Sequence, residues 1–240
     1  MNKINAKDLD HKALNESIRE GGESLTVEGC CGQRFIAAGM SGKDITIKGV
    51  PGNALGAYLN GGTVSVLGNA QDAVGDTMNE GTIVIHGNIG DAAGYAMRGG
   101  RIYIEGNAGY RAGIHMKAYK KKVPVMIIGG KAGSFLGEYQ AGGRIVVLNL
   151  KEPEGKAVGF FPCTGMHGGK MFLRSKCEDV SFPAQVNVKP AEAEDLEELR
   201  NLLPDYCEKF GLNLEEVLDA PFTVVSPDSG NPYRQMYVAN

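Results

Sequence analysis

The chain has 240 residues with 42% hydrophobic and 22% charged residues, enough to bury a core and stay soluble, and a formal net charge of −3 that favours neither nucleic acid nor a membrane surface as partner. No run of eighteen apolar residues is present, and the N-terminus MNKINAKDLDHKALNES has no apolar secretory core, so neither a membrane span nor a secretion signal is expected. The five cysteines, two of them adjacent, lack CxxC spacing, which argues against a disulfide framework, an iron–sulfur cluster or a structural zinc and points to a reducing cytoplasm.

Residues 7–20 read as a helix. Leu9, Ala13, Leu14 and Ile18 fall on one stripe and Gly21 stops it. As residues 1–20 precede a repeat, this helix is expected to cap it, because the terminal coils of a solenoid expose apolar faces.

The repeat begins at Gly21. Glycine makes up 35 residues, and only Gly211 and Gly230 follow Gly169. The units GTVSVLG, GTIVIHG and GRIYIEG end on Gly68, Gly87 and Gly106, and with Gly49 these closing glycines are 19 residues apart. A second glycine follows seven residues later in each unit, at Gly56, Gly75, Gly94 and Gly113. Looser units at 22–29, 123–130, 143–149 and 169–175 bring the expected number of strands to eight. Each unit alternates apolar and variable residues, the signature of a strand with one buried face. Ile45/Ile47, Val64/Val66, Ile83/Ile85 and Ile102/Ile104 are expected to point inward, and Thr46, Ser65, Val84 and Tyr103 outward. All eight repeat glycines are assigned to corners, where a residue without Cβ reaches positive φ. Asn69, Asn88 and Asn107 then stack at about 4.8 Å per coil as an Asn ladder, and Met78, Met97 and Met116 form a second register.

These glycines fit other patterns poorly. GNIGDAAG lacks the spacing of a dinucleotide-binding loop, and a strand returns within twelve residues. The Asp positions of a calcium-binding nonapeptide roll and the strict triplet of collagen are missing. A parallel β-helix is left, all-β, of about eight coils and roughly 35–40 Å long.

The step from Gly106 to Gly130 is 24 residues, so this coil carries an insertion. The stretch His115–Lys122 is basic, and Lys117, Lys120, Lys121 and Lys122 are candidate partner contacts, because insertions in repeat proteins gather on one face. A solubilising surface loop is the plainer alternative. Cys163 and His167, in FPCTGMHGGK, could act as nucleophile and base, but a lone CxxxH carries little specificity and a structural role is the simpler reading. The outward residues Lys48, His86 and Glu105 form no uniform lining of the kind a polysaccharide-cleaving groove needs.

After residue 175 the composition changes. Residues 190–220 read as two helices divided at Pro204, with ten acidic and two basic residues. They could fold back on the solenoid, face a basic partner or stay solvated. The final twenty residues read as an extended arm. The expected layout is thus a cap over 1–20, a solenoid over 21–180 and an acidic helical tail with an arm over 181–240.

The units spanning 68–113, with GCCGQRFIAAGMSG at 29–42 and GMHGGKMFLRS at 165–175, resemble the GXGXG domain that ends the large subunit of glutamate synthase. The resemblance covers roughly residues 21–180. It implies a right-handed, single-stranded parallel β-helix that is not itself catalytic, carries no cofactor, and holds glutaminase and FMN-binding synthase chains in a fixed relation. Asn2 stands where the amidotransferase of that family has its cysteine nucleophile, so no catalytic residue carries over. Formylmethanofuran dehydrogenase has a subunit similar to the same domain, and a protein of that type is the alternative. An independent β-helix enzyme or carbohydrate-binding module is a third reading, and a homo-oligomer is compatible with all of them.

Overall fold

The computed structural model describes residues 2–228. In chain order the elements are β1 (Asn2–Asn5), α1 (His11–Glu20), β2 (Ser24–Cys31), β3 (Asp44–Val50), β4 (Asn60–Val66), β5 (Glu80–Ile85), β6 (Arg101–Ile104), β7 (Val125–Ile128), β8 (Ala141–Val147) and β9 (Gly168–Leu173). They are followed by β10 (Val186–Pro190), α2 (Ala193–Leu202), α3 (Pro204–Phe210), α4 (Leu214–Leu218) and β11 (Thr223–Pro227). β1 to β9 pair in sequence order, all parallel, and form a β-solenoid of about seven turns, one fewer than the eight coils expected.

The register follows the repeat. Ile45, Val64, Ile83, Ile102, Met126, Ile145 and Met171 stand one above another, and all are buried in the solenoid interior. The methionine register lies inside as well. Met78, Met97 and Met116 are buried, and Gln140 takes the corresponding place one coil later. It donates from Nε2 to the Gly142 carbonyl at 3.1 Å, while its Oε1 has no hydrogen-bond partner among the described residues.

The corners explain the glycines in two different ways. Gly56, Gly75, Gly94 and Gly113 lie at φ of 65°, 69°, 66° and 71°. Each is flanked two residues away on both sides by non-glycine residues that are also left-handed, as Ala92 and Ala96 are around Gly94. Alternate peptides therefore bond in opposite directions along the axis. Ala92 donates to the Tyr110 carbonyl at 2.8 Å and Ala96 to that of Ile114 at 2.9 Å, in the coil above. Gly94 donates to Val74 at 2.7 Å, in the coil below. The corner is held in a sparsely populated conformation by hydrogen bonds to both neighbours. Gly49 and Gly68 are also at positive φ, 122° and 154°. Gly87 and Gly106 also sit where the chain bends but lie outside the left-handed region, so positive φ is not what requires glycine at these two corners. Their need for glycine is clearance: a Cβ at Gly87 would overlap the Asn69 Oδ1 and come within 2.7 Å of the Gly68 carbonyl carbon and oxygen below.

The Asn ladder runs from side chain to backbone. Asn69 Oδ1 accepts from the Asn88 amide, Asn88 from that of Asn107 and Asn107 from that of Lys131, each at 2.8 Å. A second ladder, Asp72 to Asp91 to the Tyr110 amide, runs beside it at 2.9 and 2.8 Å.

Both ends are closed. α1 starts at His11, four residues later than the sequence pattern indicates, because Asp10 accepts from the Lys12 and Ala13 amides as N-cap. β1 precedes it as an extra strand, where the pattern indicates only a helix. Leu14 and Ile18 are buried under α1. Asn15 pins the helix to the first corner, donating to Phe35 O at 3.0 Å and accepting from Ala37 N at 3.0 Å. At the other end β11 inserts antiparallel between β9 and β10, so the beginning of the expected arm is sheet. The rest of that arm, from residue 229, lies outside the described residues. Lys189 and Pro190 stand on β10, which among the described residues pairs only with β11, and both residue types discourage further pairing along a sheet edge.

Candidate functional site

The outer face of the sheet changes character along the axis. Thr46, Ser65, Val84, Tyr103, Ile127, Val146 and Phe172 are in register and all point out of the solenoid. Val84 and Tyr103 point outward as expected, but from Val84 onward the row is apolar and fully buried, so the strands have a second covered face that the alternation does not indicate. The acidic segment covers them: three helices, not two, lay Leu199, Leu203, Tyr206, Cys207, Val217 and Leu218 onto this row as a second core. Tyr206 meets Tyr103 edge-on at 5.6 Å and donates its hydroxyl to the Ile104 carbonyl at 3.1 Å. The signal was in the sequence, as a run of apolar residues at outward positions beginning in the fifth strand.

The docking is also electrostatic. Next to the apolar row, Arg101, Val125, Arg144 and Lys170 are in register. Arg144 pairs with Glu198, while Lys170 reaches Glu198 at 2.7 Å and Asp195 at 3.0 Å. Burial opposes the charge on Lys170, but the two carboxylates outweigh it and hold its pKa above the usual lysine value. Burial likewise opposes ionisation of Asp195 and Glu198. For Asp195 the Glu192 amide and Lys170 outweigh it, for Glu198 Lys170 and Arg144, and both carboxyls stay below their ordinary range. Part of the acidic segment is thus neutralised within the chain. His86 sits at the rim of this layer, its ring edge-on to Phe210 at 5.1 Å and 3.7 Å from Glu105, while Lys48 pairs with Glu28 at 3.0 Å on the uncovered part of the sheet.

The basic insertion is a tight hairpin in which Tyr119 and Lys122 exchange backbone hydrogen bonds at 3.0 Å. Lys122 turns back to Glu80 at 2.8 Å, so it is engaged within the chain. Lys117, Lys120 and Lys121 are exposed, and no carboxylate among the described residues pairs with them. Beside the hairpin is an open, polar groove of about 480 Å³ lined by Glu80, Gly81, Arg101 and Lys122.

Cys163 and His167 are not arranged as nucleophile and base. Cys163 is fully buried, its Sγ 3.7 Å from the Met171 sulfur, and burial pushes the thiol up to about 12. His167 is tied through Nδ1 to the Gly165 carbonyl at 3.1 Å. All five cysteines are free, and no group of three or more His, Cys, Asp or Glu side chains suited to a metal is found among the described residues. Nor is any helix among them long and apolar enough to cross a membrane.

What the geometry defines is a repeat-built parallel β-solenoid with a helical layer docked on its outer face, its polar chemistry spent on ladders, corners and docking. The chain belongs to the GXGXG family: the GXGXG motif matches residues 11–227, through the helical layer as well as the coils. It is 42% identical over 248 residues to an uncharacterized protein of Methanocaldococcus jannaschii, MJ1350, covering 98% of this chain and 95% of that one. Its fold is similar to a chain in the crystal structure of the formyltransferase/hydrolase complex FhcABCD from Methylorubrum extorquens with methylofuran, at TM-score 0.65 and 21% identity, covering 95% of this chain and 91% of that one.

Proposed function

We propose that this chain is a non-catalytic assembly subunit of a multi-chain complex, of the type that formylmethanofuran dehydrogenase builds on a GXGXG domain. The carrying observation is the extent of the structural likeness. The chain from the formyltransferase/hydrolase complex matches 95% of this one, so the likeness takes in both the coils and most of the helical tail. The family match through residues 11–227 serves either assembly equally, so the structural likeness is what favours this one over glutaminase and FMN-binding synthase chains as partners. In this reading the reacting groups and cofactors belong to partner chains in the cytoplasm. This chain supplies a stiff body, whose coils are cross-linked by hydrogen bonds at every corner, on which the partners are spaced.

The test is affinity purification of the tagged chain from its own organism, followed by identification of chains recovered in fixed stoichiometry. Formyltransferase, hydrolase or pterin-binding chains are the expected result. Recovery of a glutaminase with an FMN-binding chain would restore the glutamate synthase reading. Turnover of a sugar or peptide substrate by the isolated chain would overturn both.

A further inference from the structure

The left-handed corners of the last coils carry a cluster of bulky side chains where the middle coils carry mostly alanine, and Phe35 and Tyr58 stand in the same rows of the first two coils. Ala54, Ala73 and Ala92 occupy the first left-handed position of their corners, and Arg111, Phe135 and Phe161 follow in the same row. In the last left-handed position the residues in chain order are Tyr58, Thr77, Ala96, His115 and Tyr139. Bulky residues at positive φ are uncommon, and nothing inside the solenoid requires these, because they point away from it.

They form two ring groups on one corner of adjacent coils, and Arg111 in the second pairs with Glu138 at 3.0 Å. Tyr95, His115 and Tyr139 line up at 5.8 and 5.2 Å, and the Arg111 guanidinium lies 4.7 Å over Phe135, which meets Phe161 at 5.4 Å. Phe160 continues the row, and Phe160 and Phe161 are 74% and 61% exposed. With the half-exposed tyrosines, these rings offer roughly 600 Å² of aromatic surface. That is at the upper end of what a monomer leaves uncovered, about 300–600 Å². It approaches the roughly 800 Å² that one partner contributes to a stable interface. The chain runs directly from His115 into the basic hairpin, which carries the exposed Lys117, Lys120 and Lys121, the Lys120 Nζ 5.3 Å from the Tyr119 ring centroid.

We infer that this aromatic corner, with the basic hairpin that follows His115, is a docking surface for a different protein chain that presents an apolar surface edged with carboxylates. The inference rests on the assembly role proposed above and adds the face and the chemistry of the contact. A second copy of this chain is the wrong occupant. Its acidic surface is the α2–α4 layer, and none of the exposed large apolar side chains lies on those helices, so it offers charge without an apolar centre. A sugar is also disfavoured, because the His115 and Tyr139 rings are stacked within 11° of parallel and cover each other's faces.

The test is co-purification from the native organism of the tagged wild-type chain, F160S/F161S and K117E/K120E/K121E. These positions are exposed, and an unchanged thermal melt confirms the fold. If the double variant unfolds, Phe160→Arg alone replaces it. The expected result is that the stoichiometric partner of the wild type falls at least tenfold for F160S/F161S. For the lysine variant it falls several-fold, as it does for wild type in high salt. Retention of that partner by F160S/F161S overturns the inference and leaves the assembly role standing. A wild-type chain recovered alone overturns both. Light scattering of the purified chain is expected to give a monomer, and a dimer abolished by F160S/F161S would make a second copy the occupant and overturn the inference.

Discussion

Single residues in this protein matter mainly through backbone conformation and clearance. Gly94 combines a φ of 66° with a Cα hydrogen pointing at Met126, where any Cβ would overlap the methionine Cε. Gly94→Val therefore adds β-branched strain in the left-handed region to overpacking of the core. The two together cost about 3 kcal/mol or more, a fall of roughly 6–12 °C in melting temperature for a chain of this size. A thermal melt by circular dichroism checks this. Gly87→Ala should also destabilise although its φ is not left-handed, because its Cβ meets the Asn69 side chain and the backbone of the coil below. The one-letter pattern shows both glycines as equally obligatory. It does not show that one answers a torsion and the other a neighbour 19 residues away.

At the level of elements, α2 is held to the sheet by carboxylates with lowered pKa values. A group whose folded pKa is depressed adds stability above its unfolded pKa and loses it as pH falls through the folded value. For Asp195 and Glu198 that contribution is complete above about pH 5, erodes as the pH falls below the ordinary carboxylate range of about 4, and is gone only below their depressed folded values. Hydrogen exchange followed from pH 6 to pH 2 should show α2 amides opening before those of β4 to β7. Asp195→Asn should weaken the low-pH dependence. Simultaneous opening of helices and strands would contradict the assignment. The basic row Arg144 and Lys170 and the acidic positions of α2 are each visible in the sequence. Their pairing, 54 residues apart for Arg144 and Glu198, is not, because nothing local states which strand face the tail returns to.

For the whole molecule the decisive feature is that it has two cores, one inside the coils and one between the sheet and the helices. Leu199→Asp places a carboxylate in the second core alone, at a penalty of about 3–5 kcal/mol. The expected outcome is release of α2–α4 with dye binding to the uncovered Val84–Phe172 row, while the β signal of the solenoid persists. Limited proteolysis with circular dichroism checks it, and loss of the whole fold in one step would show the cores to be a single unit.

The sequence by itself determined the solenoid. A repeat of 19 residues with inward apolar pairs and recurrent glycines leaves few other ways to bury its side chains, and coil-to-coil contacts are local enough to be read along the chain. It also showed where the repeat breaks. Only the tertiary structure decided what those breaks do. The acidic tail returns to cover the outer sheet, part of the expected arm becomes a strand between β9 and β10, and the left-handed positions of the later corners bring aromatic rings from successive coils together. Each of these depends on residues far apart in sequence meeting on one surface, and periodicity carries no information about such meetings.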